Sequence, residues 1–254
     1  MNRALFFVLL LWPLRGQDSA KVALEHARVV NLERASKLPN FVADETAKRY
    51  KSRHTNPPKW EFVDLIESEI SVKGAGFSRE KARVNGKPYN KRSFDNFNWG
   101  VQFGDELDPL FGPKCKTPIE FEGRQEFRGK QVLAYRFKSP PNGCFGTFSI
   151  KKGTFSSTKR YSPAWTGRFL IDDPEGNVIL FEDEAHEFPK DFGADPLTQT
   201  STWDYVKIGD AVHLLPVATE IFGGFTPADL WHVVVEYKNH RHFESATNIK
   251  FQTE

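Results

Sequence analysis

The sequence predicts a mainly β fold with one N-terminal helix (α+β), built as a curved antiparallel sheet. Three observations carry that reading. Beyond residue 40, apolar residues recur at every second position rather than every third or fourth. Turn signals come at hairpin spacing, among them Asn85-Gly86, "DDPEG" at 172–176 and Gly209-Asp210. No strand–helix–strand rhythm follows the one helical pattern, which argues against a parallel sheet.

The elements follow in order. "MNRALFFVLLLWPLRG" has a basic Arg3, an apolar run from Ala4 to Leu14 and a small Gly16. That is the pattern of a cleavable signal peptide over residues 1–16, and the run is too short to span a bilayer. Residues 17–254 are expected to form one domain in the periplasm or outside the cell. No cysteine follows the run, so no lipid anchor is expected, and no later segment is apolar enough to cross a membrane. Losing Arg3 and Arg15 brings 35 basic residues level with 33 acidic ones. A neutral chain has no electrostatic reason to bind nucleic acid or anionic lipid. In an oxidising compartment the cysteine pair Cys115 and Cys144 predicts a disulfide.

A helix is expected over about 19–37, with Asp18 and Ser19 as caps and a narrow stripe of Ala20, Ala23, Leu24, Ala27 and Val30. Pro39 stops it. "WEFVDLIESEISV" then puts Trp60, Phe62, Ile66, Ile70 and Val72 at alternating positions, and "FSREKARV" returns after "GAG" at 74–76. An aromatic loop carries Phe94, Phe97, Trp99 and Phe103, and a short helix is expected near "LDPLFGP". Further strands are "TPIEFEG", "QVLAYRFKS", "CFGTFSI", "AWTGRFLI", "NVILFEDEAHEF", "STWDYVKI", "AVHLLPVATEI", "WHVVVEY" and "ATNIKF".

Two clusters invite a chemical reading. "FEDEAHEF" at 181–188 gathers carboxylates around His186. On a strand the outer two of Glu182, Glu184 and His186 sit about 13 Å apart, too far to share one ion. The reading is a strand buried on both faces at Val178–Phe181 whose charged end emerges into solvent. In "HRHFE" at 240–244, His240 and His242 alternate, yet no third ligand is identifiable and a turn with exposed histidines is expected. No HExxH, CxxC pair, EF-hand loop, GxSxG elbow or SxxK occurs. No catalytic residue, metal site or cofactor is assigned.

What stands out is apolar. Trp60, Phe62, Ile66, Ile70, Tyr135, Phe137, Trp165, Phe169, Trp203, Tyr205 and Trp231 alternate along their strands. Turned to one side of a curved sheet, they form either an ordinary core or a concavity for a lipid or other apolar molecule.

The order "LPNFVADETAKRY", "VNGKPY", "FGDELDPLF", "GRQEFRGKQVLAYRF", "AWTGRFLIDDPEGNVILFEDEAHEFP" and "YVKIGDAVHLLPVATEI" resembles a group of secreted bacterial proteins of unassigned function. Those are similar in layout to periplasmic lipoprotein carriers of the LolA/LolB type, the strand–turn–strand "GRFLIDDPEGNVILFE" carrying the likeness. The resemblance implies an open half-barrel of eleven strands behind a leading helix, holding an acyl chain without cofactor or catalysis.

The leading expectation is therefore a monomeric, non-enzymatic exported binding protein. Two rivals belong to other classes. One is a metal-assisted hydrolase using His186, His240 and His242. The other is a module that docks an envelope protein through a sheet edge or the 94–103 loop.

Overall fold

Among the described residues the helical stripe, the period-two runs and most of the turns form the element they announce. The computed structural model describes residues 14–53, 57–73, 76–89, 99, 107–152, 157–190, 197–226 and 229–242. Helix α1 spans Leu14–Ser36, and Ala20 and Ala27 are buried against the sheet as the stripe requires. The strands are β1 (Phe41–Arg53), β2 (Glu61–Lys73), β3 (Gly76–Val84) and β4 (Lys87–Pro88). After the short helix α2 (Asp108–Phe111) come β5 (Ile119–Phe127), β6 (Lys130–Ser139), β7 (Phe148–Lys152), β8 (Ser157–Tyr161) and β9 (Ala164–Asp172). The chain continues with β10 (Val178–His186), β11 (Leu197–Ile208), β12 (Ala211–Thr226) and β13 (Asp229–His242).

Eleven strands form one antiparallel sheet in the order β4-β3-β2-β1-β13-β12-β11-β10-β9-β6-β5, and β7 and β8 form a separate ribbon. The sheet is curved and does not close, with β4 and β5 at its two edges. Bulges in most of its ladders, for example between Val178 and Leu180 and between Thr202 and Trp203, supply local bends. At the β3–β4 hairpin, Asn85 (φ 50°) and Gly86 (φ 77°) take the left-handed conformations that a two-residue turn needs. The Asn85 side-chain oxygen accepts a hydrogen bond from the Leu65 amide at 2.9 Å, which ties that turn to β2.

The expected "GAG" turn lies partly outside the described residues, as do Phe94, Phe97, Phe103, the start of the signal segment and the "ATNIKF" strand. Where a turn was expected at "HRHFE", β13 instead runs on through His242. It does so because Phe41 and Val42 of β1 pair with His242 and Arg241 and extend the ladder. Among the described residues no helix is long and apolar enough to cross a membrane.

The expected disulfide forms between Cys115 and Cys144, closing a separation of 29 residues. It ties the segment after α2 to the loop that carries Phe145, whose ring stacks on Phe137 and on Trp165. Replacing both cysteines by serine should lower stability by about 3 kcal/mol through loop entropy, read as a lower urea midpoint. An unchanged midpoint would show that the cross-link constrains nothing.

Candidate functional site

Register sets out what each strand contributes to the core-bearing face, called the inner face below. One cross-strand row runs Phe121, Tyr135, Phe169, Phe181, Ser201, Thr219, Val235, Ala47, Ile66 and Val84, from β5 to β3. The next runs Phe137, Gly167, Asp183, Gln199, Ile221, Val233, Arg49 and Asp64. Both rows change in chemistry along their length. The first is aromatic on β6, β9 and β10, where the second carries Phe137, Gly167 and Asp183; both are hydroxyl or amide on β11, and aliphatic or charged on β13, β1 and β2.

The aromatic half packs ring on ring. Tyr135 stacks on Phe169 at 5.3 Å, Phe137 on Phe181 at 5.4 Å, and Phe148 on Trp165 at 5.8 Å. The two helices cover it. The Tyr135 hydroxyl donates to the Ala20 carbonyl at 2.7 Å, and Phe111 meets Phe169 edge-on. Burial pushes the Tyr135 hydroxyl pKa up to about 12, so it stays a donor. Asn31 of α1 donates to the Gly176 carbonyl and accepts from the Val178 amide, docking the helix on the β9–β10 turn. Gly167 is the space into which Phe137 fits: a Cβ there would lie 2.4 Å from the Phe137 ring.

The other half is polar at its centre. The Glu45 side chain is fully buried and accepts hydrogen bonds from Ser68 at 2.6 Å, from both arms of Arg79 at 2.6 and 2.8 Å, and from the Trp99 indole at 3.0 Å. Arg49 and Asp64 form a buried bidentate pair at 2.7 and 2.6 Å, and Arg49 also lies over the Trp231 ring. Sequence reasoning gave no role to Glu45, Arg49, Asp64, Ser68 or Arg79. Glu45, Ser68 and Arg79 are far apart in the chain and meet only through strand pairing.

Most of the expected ligand-facing side chains share the inner face. Tyr135, Phe137, Trp165, Phe169 and Trp203 lie in the aromatic half, while Ile66, Ile70 and Trp231 lie in the other. Trp60 and Phe62 do not join them. A bulge between Arg49 and Tyr50 in the β1–β2 ladder inserts one residue of β2 and reverses its alternation. Trp60 and Phe62 therefore cluster with Tyr50, Phe222 and His232 on the opposite face, with Phe62 56% exposed. Tyr205 is also 37% exposed, at the rim, where its hydroxyl donates to Asp172 and accepts from Asn177. It lines an open groove of about 470 Å³ with Lys130, Gln131, Asp173 and Glu175.

"FEDEAHEF" divides as strand geometry requires, with one correction. Val178–Phe181 are buried and Glu182 and Glu184 are half-buried, facing Arg168 and Thr166 across the ladder. Asp183 is half-buried too, but it points with Phe181 and Ala185 to the inner face. Its Oδ1 is sealed and has no hydrogen-bond partner, and burial alone pushes its carboxyl up to about 7.

The hydrolase alternative is not assembled. His186 lies on β10 and both other histidines on β13, with β11 and β12 between them, about 14 Å of sheet. His240 instead contacts Phe41 and bonds the Pro216 carbonyl at 3.1 Å, and burial lowers its pKa. Among the described residues no three His, Cys, Asp or Glu side chains converge on a common point.

No family model and no curated protein matches the chain. Solved structures do. The chain is similar to a LolA superfamily protein from Nitrosomonas europaea at 9% identity and TM-score 0.33, over 89% of this chain and 94% of that one. It is also similar to a DUF1329 family protein from Desulfovibrio piger at 7% identity and TM-score 0.42, over 90% and 95% of the two chains.

Proposed function

We propose that this chain is an exported, non-catalytic carrier that holds a lipid or other apolar molecule between α1 and the aromatic half of the inner face. The observation that carries the reading is the pairing of floor and cover. The floor is a set of stacked rings on β6, β9 and β10, and the cover is a helix whose described residues meet it through two alanines and two leucines. Of the described α1 residues on that core, Ala23 and Ala27 are small and Leu24 and Leu32 are large, and Ala20 is buried where its carbonyl meets Tyr135. An acyl chain that replaces this cover contributes about 0.8 kcal/mol per CH₂ buried. The buried ion pairs of the β1–β2 half confine this site to the other half, because an apolar chain there would leave charges without solvent or partner. The signal-like segment and the disulfide both support export.

Delipidated protein is expected to take up N-phenyl-1-naphthylamine, a headless apolar probe, in a saturable manner. Trp165→Glu should weaken that uptake roughly tenfold or more, since it sets a carboxylate among the rings. Absence of saturable uptake by the wild-type chain would remove the carrier reading. Equal uptake by the variant would place the probe elsewhere.

A further inference from the structure

We propose that Asp183 and the Trp165 indole form a polar subsite at one end of the aromatic floor, which receives the uncharged hydrogen-bonding head of the ligand: an ester, amide or hydroxyl. The inference rests on the carrier reading and adds to it the chemical class of the ligand.

Among the described inner-face side chains, Asp183 Oδ1, Trp165 Nε1 and Thr219 Oγ1 are sealed from solvent and lack a partner, and the first two stand on adjacent strands. A sealed polar atom left unsatisfied is destabilising, so two on neighbouring positions are not a neutral feature of a core. They are neighbours. Asp183 stands opposite Gly167 and Trp165 opposite Ala185 on the β9–β10 ladder, the diagonal arrangement that puts Cβ atoms about 7 Å apart. In the proposed complex one carbonyl or hydroxyl group lies between them. Rings surround them, with Phe145 and Phe148 on Trp165 and Phe137 seated on Gly167.

Charge decides the class of head. Burial is the whole cause of the Asp183 shift, and no charged side chain contributes to it. Among the described residues no cation pairs with Asp183, which disfavours a phosphate or carboxylate there. A protonated carboxyl offers one donor and one acceptor, and the indole offers one donor. That set fits the glycerol ester of a monoacylglycerol, which carries carbonyl and hydroxyl together. A water molecule could satisfy the same atoms, and the experiment separates the two.

The test measures 1-monooleoylglycerol as a competitor of N-phenyl-1-naphthylamine on the purified chain and on Trp165→Phe, Asp183→Leu and Asp183→Asn. Trp165→Phe and Asp183→Leu should each lower the affinity for monooleoylglycerol relative to that for the naphthylamine roughly 5- to 30-fold. Asp183→Asn keeps a donor and an acceptor and should stay within about threefold of wild type. Oleate and lysophosphatidic acid should compete more weakly than monooleoylglycerol with the wild-type chain. Unchanged monooleoylglycerol affinity in both Trp165→Phe and Asp183→Leu overturns the subsite and leaves the carrier reading standing, with water as the partner of these atoms. A preference for either anionic lipid overturns the choice of an uncharged head. Failure of the naphthylamine itself to bind overturns the carrier reading and the subsite with it.

Discussion

Arg49→Met and Asp64→Leu, introduced singly, should each destabilise the protein by about 3–5 kcal/mol, and the double variant should return to within about 1 kcal/mol of wild type or exceed it. The asymmetry follows from burial. The two side chains are only 3% and 10% exposed, and they meet through paired contacts at 2.7 and 2.6 Å. Each charge was desolvated on folding, and its partner offsets that cost. Remove one and the other stays buried beside Trp231 and Val233 without its counter-charge. Remove both and the site becomes apolar, on a face already lined by Ala47, Ile66 and Val235. Urea denaturation of the four proteins measures the coupling. If the single losses simply add in the double variant, the pair is not a closed unit and the division of the inner face into an apolar and a charged half loses its energetic basis.

That division is the part of the site the sequence did not disclose. Alternation located the strands, and the turn residues located their ends, because both signals act over a few neighbouring positions. Val178–Phe181 read correctly as buried on both faces for the same reason. Trp60 and Phe62 went to the wrong side because a bulge adds a residue without leaving a mark in composition, and every side chain beyond it changes face. Glu45 could not be singled out at all. Its partners Ser68, Arg79 and Trp99 lie 23, 34 and 54 residues away, and only the strand order brings them together. Asp183 was read with its charged neighbours as a solvated end. Parity along the strand did group it with Phe181 and Ala185, and that signal outweighed composition once the inner face was defined.

Asp183→Asn should make the protein more stable than wild type by an amount that is near zero at about pH 4 and grows to about 3–4 kcal/mol at pH 7 and above. The sign follows from the folded carboxyl, which burial holds near 7, against an ordinary value near 3.8. Below about pH 4 the group is protonated in both states and contributes no pH dependence. Between about 4 and 7 the unfolded chain releases this proton and the folded chain retains it, so stability falls as pH rises. Above that window both states are ionised and the full cost of a buried charge is present. Asparagine has the same shape without the proton, so the difference between the two denaturation series isolates this one group from the other carboxylates. Series that run parallel from pH 4 to pH 8 would show that water reaches Asp183 freely, and the sealed setting of its Oδ1 on which an uncharged lipid head depends would be lost.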